Sequence, residues 1–168
     1  GDHVVHLADD VRGSRRGYAL ALGVAVDQLA AEWNRRTKNL ISPVLVETGL
    51  CQQHVWVGDQ VDLTRLPAPI WNERDGGPYL TLSCHISKDP ETQARNVGVY
   101  RNIVHDRNTL GILVEPYGHL RYQWSKRPNE PFPVAIVLGA DPVVPMAADP
   151  PLPYGRDGLA VPGGPTGK

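Results

Sequence analysis

The sequence predicts an α+β fold in which one N-terminal helix precedes an antiparallel β-barrel or half-barrel. Apolar residues recur at helical spacing near the start of the chain, between residues 15 and 36. Short alternating or wholly apolar runs, which are typical of strands, follow between residues 44 and 138. From residue 141 to residue 168, seven prolines and five glycines predict an extended tail, because helices and central strands do not tolerate that density.

The predicted helix spans residues 15–36 and follows a short apolar piece at residues 4–7. Ser14 offers an N-cap side chain, and Pro43 ends any helical continuation. Spacings of four, four, three and four residues place an apolar stripe on one helix face. Its members are Tyr18, Leu22, Val26, Leu29 and Trp33. We expect this stripe to pack against the rest of the protein.

Six short segments are strand candidates, namely residues 44–47, 54–57, 79–86, 97–105, 110–115 and 134–138. Residues 62–67 are predicted as either a single turn or an extended connector that ends in a proline-rich loop. The third segment alternates apolar and polar residues, which predicts one buried face formed by Leu80, Leu82, Cys84 and Ile86. Asp106-Arg107-Asn108 predicts a hairpin between the fourth and fifth segments. The last segment is wholly apolar, which predicts a central strand.

Composition limits the class of protein. A length of 168 residues predicts one ordinary domain, or one domain with a partial neighbour. The formal charge is -1, and no cluster of Lys or Arg indicates nucleic-acid or membrane partners. No apolar run approaches the roughly 18 residues of a membrane span. Cys51 and Cys84 lack the spacing of a metal motif, which favours reduced thiols. These features predict a soluble, cytoplasmic protein.

Arg101 is the first candidate for a binding residue. By strand parity it shares a predicted buried face with Val97, Val99 and Ile103. A buried guanidinium needs an anionic partner, because an unpaired buried charge is very costly. That partner is either Glu115 across the predicted hairpin or the phosphate or carboxylate of a ligand.

Asn96 and His119 are candidates for the same site. A regular strand would point Asn96 and Arg101 to opposite faces, so sharing a site requires Asn96 in the preceding loop or a bulge at Gly98. His119 follows a predicted strand exit, where a lone histidine is either exposed or a ligand. An amide oxygen and an imidazole can hold a divalent cation, but a hard ion such as Mn²⁺ also requires a carboxylate.

The ordered motifs of the chain resemble the UbiD family of decarboxylases, which use prenylated FMN. The strings that carry the resemblance are Asp75-Gly76-Gly77-Pro78-Tyr79, Asp89-Pro90-Glu91-Thr92, Arg95-Asn96-Val97-Gly98-Val99-Tyr100-Arg101 and Leu138-Gly139-Ala140-Asp141-Pro142. The resemblance implies a split β-barrel, flavin reductase-like and FMN-binding, over residues 44–140. Residues 1–43 would then be a remnant of an N-terminal α/β domain, and residues 141–168 an extended Pro/Gly-rich tail.

The resemblance also implies a function, which is the reversible decarboxylation of an aromatic or unsaturated acid. The implied cofactors are prenylated FMN or FMN, Mn²⁺ and K⁺. Asn96 and His119 would bind the metal, and Arg101 would be catalytic and face the substrate carboxylate. The residues implied to contact the cofactor are Asn96, Val99, Tyr100, Arg101, Leu113, Val114, Glu115, Gly118 and His119.

The chain departs from the family pattern in two respects. Gly158 stands where the family has a glutamate as third metal ligand, and Asp157 is the nearest carboxylate, one position away. The acid/base carboxylates of the family would lie beyond residue 168. We therefore expect this chain to supply the cofactor-binding part and to need a partner subunit or a second copy for catalysis. The alternative is a non-catalytic flavin-binding protein or a degenerate paralogue.

Overall fold

The structure is a computed structural model that describes residues 13–148 and 152–166. This part of the chain contains helices and an antiparallel sheet, which confirms the α+β class; the apolar piece at residues 4–7 lies outside the described residues. The elements are α1 (Arg15–Leu22), α2 (Leu29–Arg36), β1 (Tyr79–Lys88), β2 (Arg95–Val104), β3 (Leu110–Ile112), α3 (His119–Ser125), β4 (Val134–Val137), α4 (Val143–Ala148) and α5 (Ala160–Thr166). Among the described residues, no helix has both the length and the apolar character that crossing a membrane requires.

The predicted N-terminal helix is two helices. Ser14 caps α1 as expected, since its hydroxyl accepts a hydrogen bond from the Gly17 amide at 3.1 Å. Gly23 then adopts a left-handed conformation with φ of 64° and ends α1, which is typical of a glycine after the last helical residue. Because the chain turns there, Val26 leaves the predicted stripe and is 41% exposed. Leu22 joins the core with Val143 and Met146 of α4.

The predicted strands at residues 44–47 and 54–57 are wrong. These residues form irregular loop with a short 3-10 turn at Leu50–Gln52, and their apolar side chains are exposed, Leu45 by 98%. A strand needs a partner for its backbone, and no described segment pairs with this one. The predicted turn at residues 62–67 is confirmed by a 3-10 turn at Leu63–Arg65, where Asp62 accepts from the Thr64 amide.

The sheet has four antiparallel strands in the order β3-β2-β1-β4. The hairpin between β2 and β3 is confirmed, although β3 ends at Ile112 rather than at residue 115. β4 lies at the edge of the sheet and not in its centre, because it pairs with β1 alone. Apolar residues at this edge remain partly exposed, Ile136 by 38%.

A bulge in β1 sets the two faces of the sheet. Leu80 pairs with Asn102 and Ser83 with Tyr100, so that the two intervening residues of β1 face Arg101 alone. The bulge moves Leu80 to the face that carries the polar residues, which corrects the predicted single apolar face. α3 covers the polar face, and its Gln123 accepts a hydrogen bond from Ser87 at 2.7 Å. α4 packs on the sheet as well.

The prediction of a wholly extended tail is wrong, because α4 and α5 lie within it. Pro145 and Pro162 occupy the third position of their helices, where a missing backbone N–H costs no internal hydrogen bond. The glycines of α5 allow close packing, since a side-chain carbon on Gly163 would collide with the carbonyl oxygen of Ile41. The glycines that led to the prediction of a loop therefore allow α5 to pack closely against the segment after α2.

Candidate functional site

Two cavities are lined by six of the nine predicted site residues, whereas Val99, Val114 and Glu115 line neither of them. The first, here called the β2–α3 cavity, has a volume of about 230 Å³ and lies between β2, the start of α3 and the segment before α5. The second, here called the β2–β3 cavity, has a volume of about 600 Å³ and lies against β2 and β3. Asn96, Tyr100, Gly118 and His119 line the first cavity, whereas Arg101 and Leu113 line the second.

Three alternate residues of β2 build one wall of the β2–α3 cavity. Asn96, Gly98 and Tyr100 lie on one strand face, and the Tyr100 side chain is hydrogen-bonded to Asn96 and to the backbone of Leu120. Gly98 makes this possible, because a β-carbon there would lie 2.6 Å from the Tyr100 ring. Burial raises the pKa of the Tyr100 phenol, while the two hydrogen bonds lower it in part. The phenol therefore joins β2 to the first turn of α3.

A buried polar cluster lies beneath Tyr100. The His85 ring is 1% exposed and packs edge-to-face against the Tyr100 ring, with 5.1 Å between ring centroids. Ser83 Oγ donates to Asn102 Oδ1 at 2.7 Å, so Asn102 Nδ2 is the donor to His85 Nε2 at 3.1 Å. The imidazole proton then lies on Nδ1, which faces the Ser83 carbonyl oxygen at 3.3 Å. Burial lowers the pKa of His85, which keeps the ring neutral.

Sequence reasoning missed this cluster. Ser83 and His85 alternate with apolar residues of β1, a pattern that ordinarily assigns them to a solvent-facing side. The structure buries both side chains, because α3 covers that face of the sheet. The signal available in the sequence was an asparagine, Asn102, within the next predicted strand.

His119 begins α3 instead of lying at the exit of a strand, and its ring packs edge-to-face on Tyr154 with centroids 5.3 Å apart. Tyr154 donates its phenol proton to Asp89, whose side chain is fully buried. Burial by itself would raise the pKa of Asp89, but Lys126 at 2.7 Å and two backbone amides bring it down to about 2. This ionised carboxylate anchors the aromatic wall of the cavity.

Arg101 is exposed, which contradicts the predicted burial on an apolar face. Among the described residues no carboxylate lies within ion-pair distance of its guanidinium, so the structural partner considered for it, Glu115, is also wrong. Asn96 lies within β2 opposite Ser87, and Gly98 pairs regularly with His85. Asn96 is therefore not in the loop before β2, and the bulge is in β1 and not at Gly98. Asn96 and Arg101 consequently lie on opposite faces of β2.

The donors present do not complete a site for a hard cation. Asn96 and His119 line the β2–α3 cavity, but no Asp or Glu among residues 13–148 and 152–166 does. Asp157 is held by Arg95 through both carboxylate oxygens, with Arg95 Nε 3.0 and 3.1 Å from them. In the described part of the chain, no cluster of three His, Cys, Asp or Glu could hold a metal. An amide and an imidazole alone do not fit Mn²⁺ or K⁺, which require several oxygen ligands.

The β2–α3 cavity is too small to enclose a whole flavin. Its volume is below the roughly 300–1,000 Å³ of pockets that enclose complete small molecules. Four glycines open its backbone to a ligand, namely Gly98, Gly118, Gly155 and Gly158. Arg95, Arg156 and Asn96 supply polar side chains.

The chain belongs to the UbiD family, because residues 44–168 match the model described as the UbiD 3-octaprenyl-4-hydroxybenzoate carboxy-lyase Rift-related domain. The resemblance stated from the sequence is thereby confirmed. A pyrrole-2-carboxylic acid decarboxylase of Pseudomonas aeruginosa is 42% identical over 119 residues, which cover 68% of this chain and 24% of that protein.

Solved structures agree with this assignment. An apo 3,4-dihydroxybenzoic acid decarboxylase of Klebsiella pneumoniae, AroY, gives a TM-score of 0.80 at 30% identity, covering 92% of this chain and 34% of that one. An evolved dimeric form of HmfF from Pelotomaculum thermopropionicum, in complex with prFMN, gives 0.83 at 29%, covering 91% and 36%. The closed form of the vanillic acid decarboxylase of Sedimentibacter hydroxybenzoicus gives 0.85 at 30%, covering 94% and 36%. The chain thus spans about a quarter to a third of these relatives.

Proposed function

We propose that this chain is the cofactor-binding part of a UbiD-type carboxy-lyase that reversibly decarboxylates an aromatic or unsaturated acid with prenylated FMN. The observation that carries the proposal is the β2–α3 cavity, in which Asn96, Tyr100 and His119 converge. Support comes from family membership and from relatives that act on aromatic acids or are solved with prFMN or FMN. The split-barrel, flavin reductase-like form of the domain, its limits at residues 44 and 140 and a cytoplasmic location are part of the proposal.

In this proposal the residues of the β2–α3 cavity would hold the phosphate end of the cofactor. Prenylated FMN supplies the electron-accepting centre that loss of CO₂ requires. Asn96 and His119 hold the phosphate end, and Tyr100 positions Asn96 through their hydrogen bond. The further predicted contacts to the cofactor are Val99, Arg101, Leu113, Val114, Glu115 and Gly118. We assign no step to Mn²⁺ or K⁺, because the described residues of the cavity supply no carboxylate.

Arg101 has a separate role in this proposal. Its exposed guanidinium lines the β2–β3 cavity together with the aromatic side chains of Trp71 and Tyr79. A planar guanidinium binds a carboxylate through two parallel hydrogen bonds, and the aromatic side chains suit an aromatic acid. A proton donor for the carbon that loses CO₂ is also required. We propose that a partner subunit or a second copy of the chain supplies this donor.

The test is production of the chain together with a prenyl-FMN synthase, followed by an absorbance spectrum and a native mass. We expect a flavin absorbance and a mass increase equal to one prenylated FMN per chain. Matched variants Asn96→Ala and Asn108→Ala separate the site from a general effect, because Asn108 is in the exposed β2–β3 turn. A colourless protein of unchanged mass would refute the proposal.

A second candidate function is a flavin-binding protein without catalytic activity. The observation that favours it is that none of the described residues lining the β2–α3 cavity is an Asp or a Glu. The two functions are separated by incubating the loaded protein with a panel of aromatic acids and measuring CO₂ release. Retained cofactor without CO₂ release, both alone and after addition of a UbiD-family partner, identifies the non-catalytic protein.

A further inference from the structure

The end of β2 carries a row of three side chains along the β2–β3 cavity. Arg101, Ile103 and His105, the last directly after the strand, all line this cavity. The intervening Asn102 and Val104 are buried on the other face of the sheet. The α-carbons of Arg101 and His105 are about 13 Å apart, since each residue of a strand advances about 3.3 Å. A ligand that lies along β2 therefore meets a guanidinium at one end and an imidazole at the other.

Gly111 of β3 makes room for the His105 ring. A β-carbon on Gly111 would lie 2.5 Å from His105 Nε2 and 2.7 Å from Ile103 Cγ2, so a larger residue would displace the ring from this place over β3. The His105 amide donates to the Thr109 carbonyl oxygen at 3.1 Å, which continues the pairing of the hairpin beyond Val104. Both strands of the hairpin thus position an imidazole that is exposed to the cavity.

The middle of the β2–β3 cavity suits a planar aromatic ring. Trp71 and Tyr79 line it together with Ile103, and its volume of about 600 Å³ lies within the roughly 300–1,000 Å³ of sites that enclose complete small molecules. A benzene ring with polar groups on opposite carbons and a hydrogen bond at each end is comparable in length to the distance between Arg101 and His105. The row of side chains therefore matches an aromatic acid that is polar at both ends.

We propose that His105 determines substrate specificity in the β2–β3 cavity, through a hydrogen bond to a polar group, such as a hydroxyl, on the ring carbon opposite the carboxylate. This inference rests on the proposed function, because Arg101 holds the carboxylate of the acid there. A neutral imidazole has one donor and one acceptor nitrogen, so it can pair with a hydroxyl in either direction. An acid without the polar group leaves the imidazole unpaired in the occupied cavity, which weakens its binding.

Asp75 is a second polar side chain in the lining of the β2–β3 cavity. Its Oδ2 accepts a hydrogen bond from the Asn72 amide at 3.0 Å, and the Asp75 amide donates to the Asn72 carbonyl oxygen at 3.0 Å. These two bonds tie the carboxylate to its own turn. We therefore assign recognition of the ring substituent to His105 and use Asp75 as the competing assignment in the test.

The experiment is calorimetric titration of 4-hydroxybenzoate, 3-hydroxybenzoate and benzoate into the full chain, produced with and without a prenyl-FMN synthase. We expect 4-hydroxybenzoate to bind roughly fivefold to tenfold more tightly than the other two acids, which is the effect of one hydrogen bond. The 3-hydroxy acid distinguishes recognition of the position of the hydroxyl from a general preference for polar acids. Equal affinities of the wild type for the three acids would overturn the inference.

Four variants locate the contact. His105→Leu should bind benzoate about as well as the wild type does and should lose the preference for 4-hydroxybenzoate. Gly111→Ala keeps the histidine but displaces its ring, so the preference should shrink in this variant as well. His54→Gln changes an exposed histidine in the loop before β1 and should retain the preference, as should Asp75→Asn. A preference that His105→Leu retains and Asp75→Asn loses would overturn the assignment to His105.

The flavin content of the protein produced with the synthase separates the inference from the proposed function. A protein that holds flavin but shows no preference dependent on His105 overturns the inference, and the proposed function stands. A protein without flavin overturns the proposed function, while a preference that His105→Leu abolishes still supports the role of His105 in binding the acid. Retained flavin together with such a preference supports both.

Discussion

The phenol of Tyr100 is hydrogen-bonded to the side chain of Asn96, four residues earlier on the same face of β2. Side chains at this separation on a strand are about 13 Å apart at their α-carbons, so the ring must lie down along the strand to make the contact. It does so over Gly98, whose missing β-carbon leaves the necessary space. The spacing of asparagine, glycine and tyrosine in the motif thus has a steric explanation.

Gly98→Ala is predicted to displace the Tyr100 ring and to break its bond to Asn96. The added carbon would lie 2.6 Å from Tyr100 Cε2, and we expect a loss of roughly 1–3 kcal/mol in the free energy of unfolding, as for overpacking elsewhere. FMN affinity should fall as well. Urea denaturation and FMN titration measure the two effects. Gly76→Ala is the control, because its β-carbon would meet Ile103 at an ordinary 3.5 Å.

The buried histidine makes stability depend on pH. Burial lowers the pKa of His85 in the folded protein, so below its ordinary value of 6.5 the unfolded chain binds more protons than the folded one. The contribution of His85 is therefore complete above pH 6.5 and is lost as the pH falls towards the lower folded-state pKa. Urea denaturation between pH 7 and pH 5, at roughly half-unit steps across the ordinary titration range of histidine, should show this decline.

Two variants test that His85 causes the decline. His85→Gln cannot titrate, yet its amide oxygen can accept from Asn102 Nδ2, so the decline below pH 6.5 should shrink. His54→Gln changes an exposed histidine in the loop before β1 and should leave the profile of the wild type intact. An undiminished decline in His85→Gln would contradict the prediction.

Sequence patterns of a few adjacent residues, such as helix caps and turns, predicted the structure correctly. Ser14 caps a helix, and the Asp106-Arg107-Asn108 turn joins two strands, because each depends on a few adjacent residues. The predictions that the structure contradicts are those in which contacts between residues distant in sequence decide the fold. Gly163 and Pro162 have poor helical propensity, yet α5 forms because it packs closely against the segment at Ile41.

The candidate site, like the fold, was predicted correctly where local sequence patterns decide the structure and wrongly where long-range contacts do. Strand parity correctly separated Asn96 from Arg101, but it assigned Arg101 to a buried face that the structure leaves exposed. The bulge opposite Arg101 follows from how β1 pairs with β2, which no local pattern in the sequence reveals. The convergence of Asn96 with His119 was expected from the family resemblance alone, since 22 intervening residues first have to fold.

Asp89 is predicted to stabilise the wall of the β2–α3 cavity as a carboxylate. Asp89→Asn removes the negative partner of Lys126 and of two backbone amides at a fully buried position, so we expect a loss of roughly 3 kcal/mol. Glu91→Gln is the matched control, because Glu91 also contacts Lys126 but is 67% exposed, and its loss should be under about 1 kcal/mol. Thermal denaturation compares the two variants.

The Asp89 carboxylate makes the stability of the protein depend on pH in a second, more acidic range. Its folded-state pKa of about 2 lies below the ordinary value of 3.8, so its contribution is present above pH 3.8 and disappears as the pH falls towards 2. Acid denaturation of Asp89→Asn should therefore begin from a lower stability and show a shallower decline in this range. Equal slopes in the variant and the wild type would contradict the prediction.

Arg101 should affect binding of the acid and not of the flavin phosphate, because it lies on the opposite face of β2 from Asn96 and lines the β2–β3 cavity. Arg101→Gln is predicted to weaken binding of 4-hydroxybenzoate by about tenfold, the effect of losing a charge-assisted pair of hydrogen bonds. FMN affinity should fall less than the affinity for the acid, since no contact to the phosphate changes. Arg74→Gln is the control, an exposed arginine close in sequence to the cavity residues Asn72 and Asp75 that does not line the cavity itself. An equal loss of FMN affinity in Arg101→Gln would mean that the two cavities act as one site.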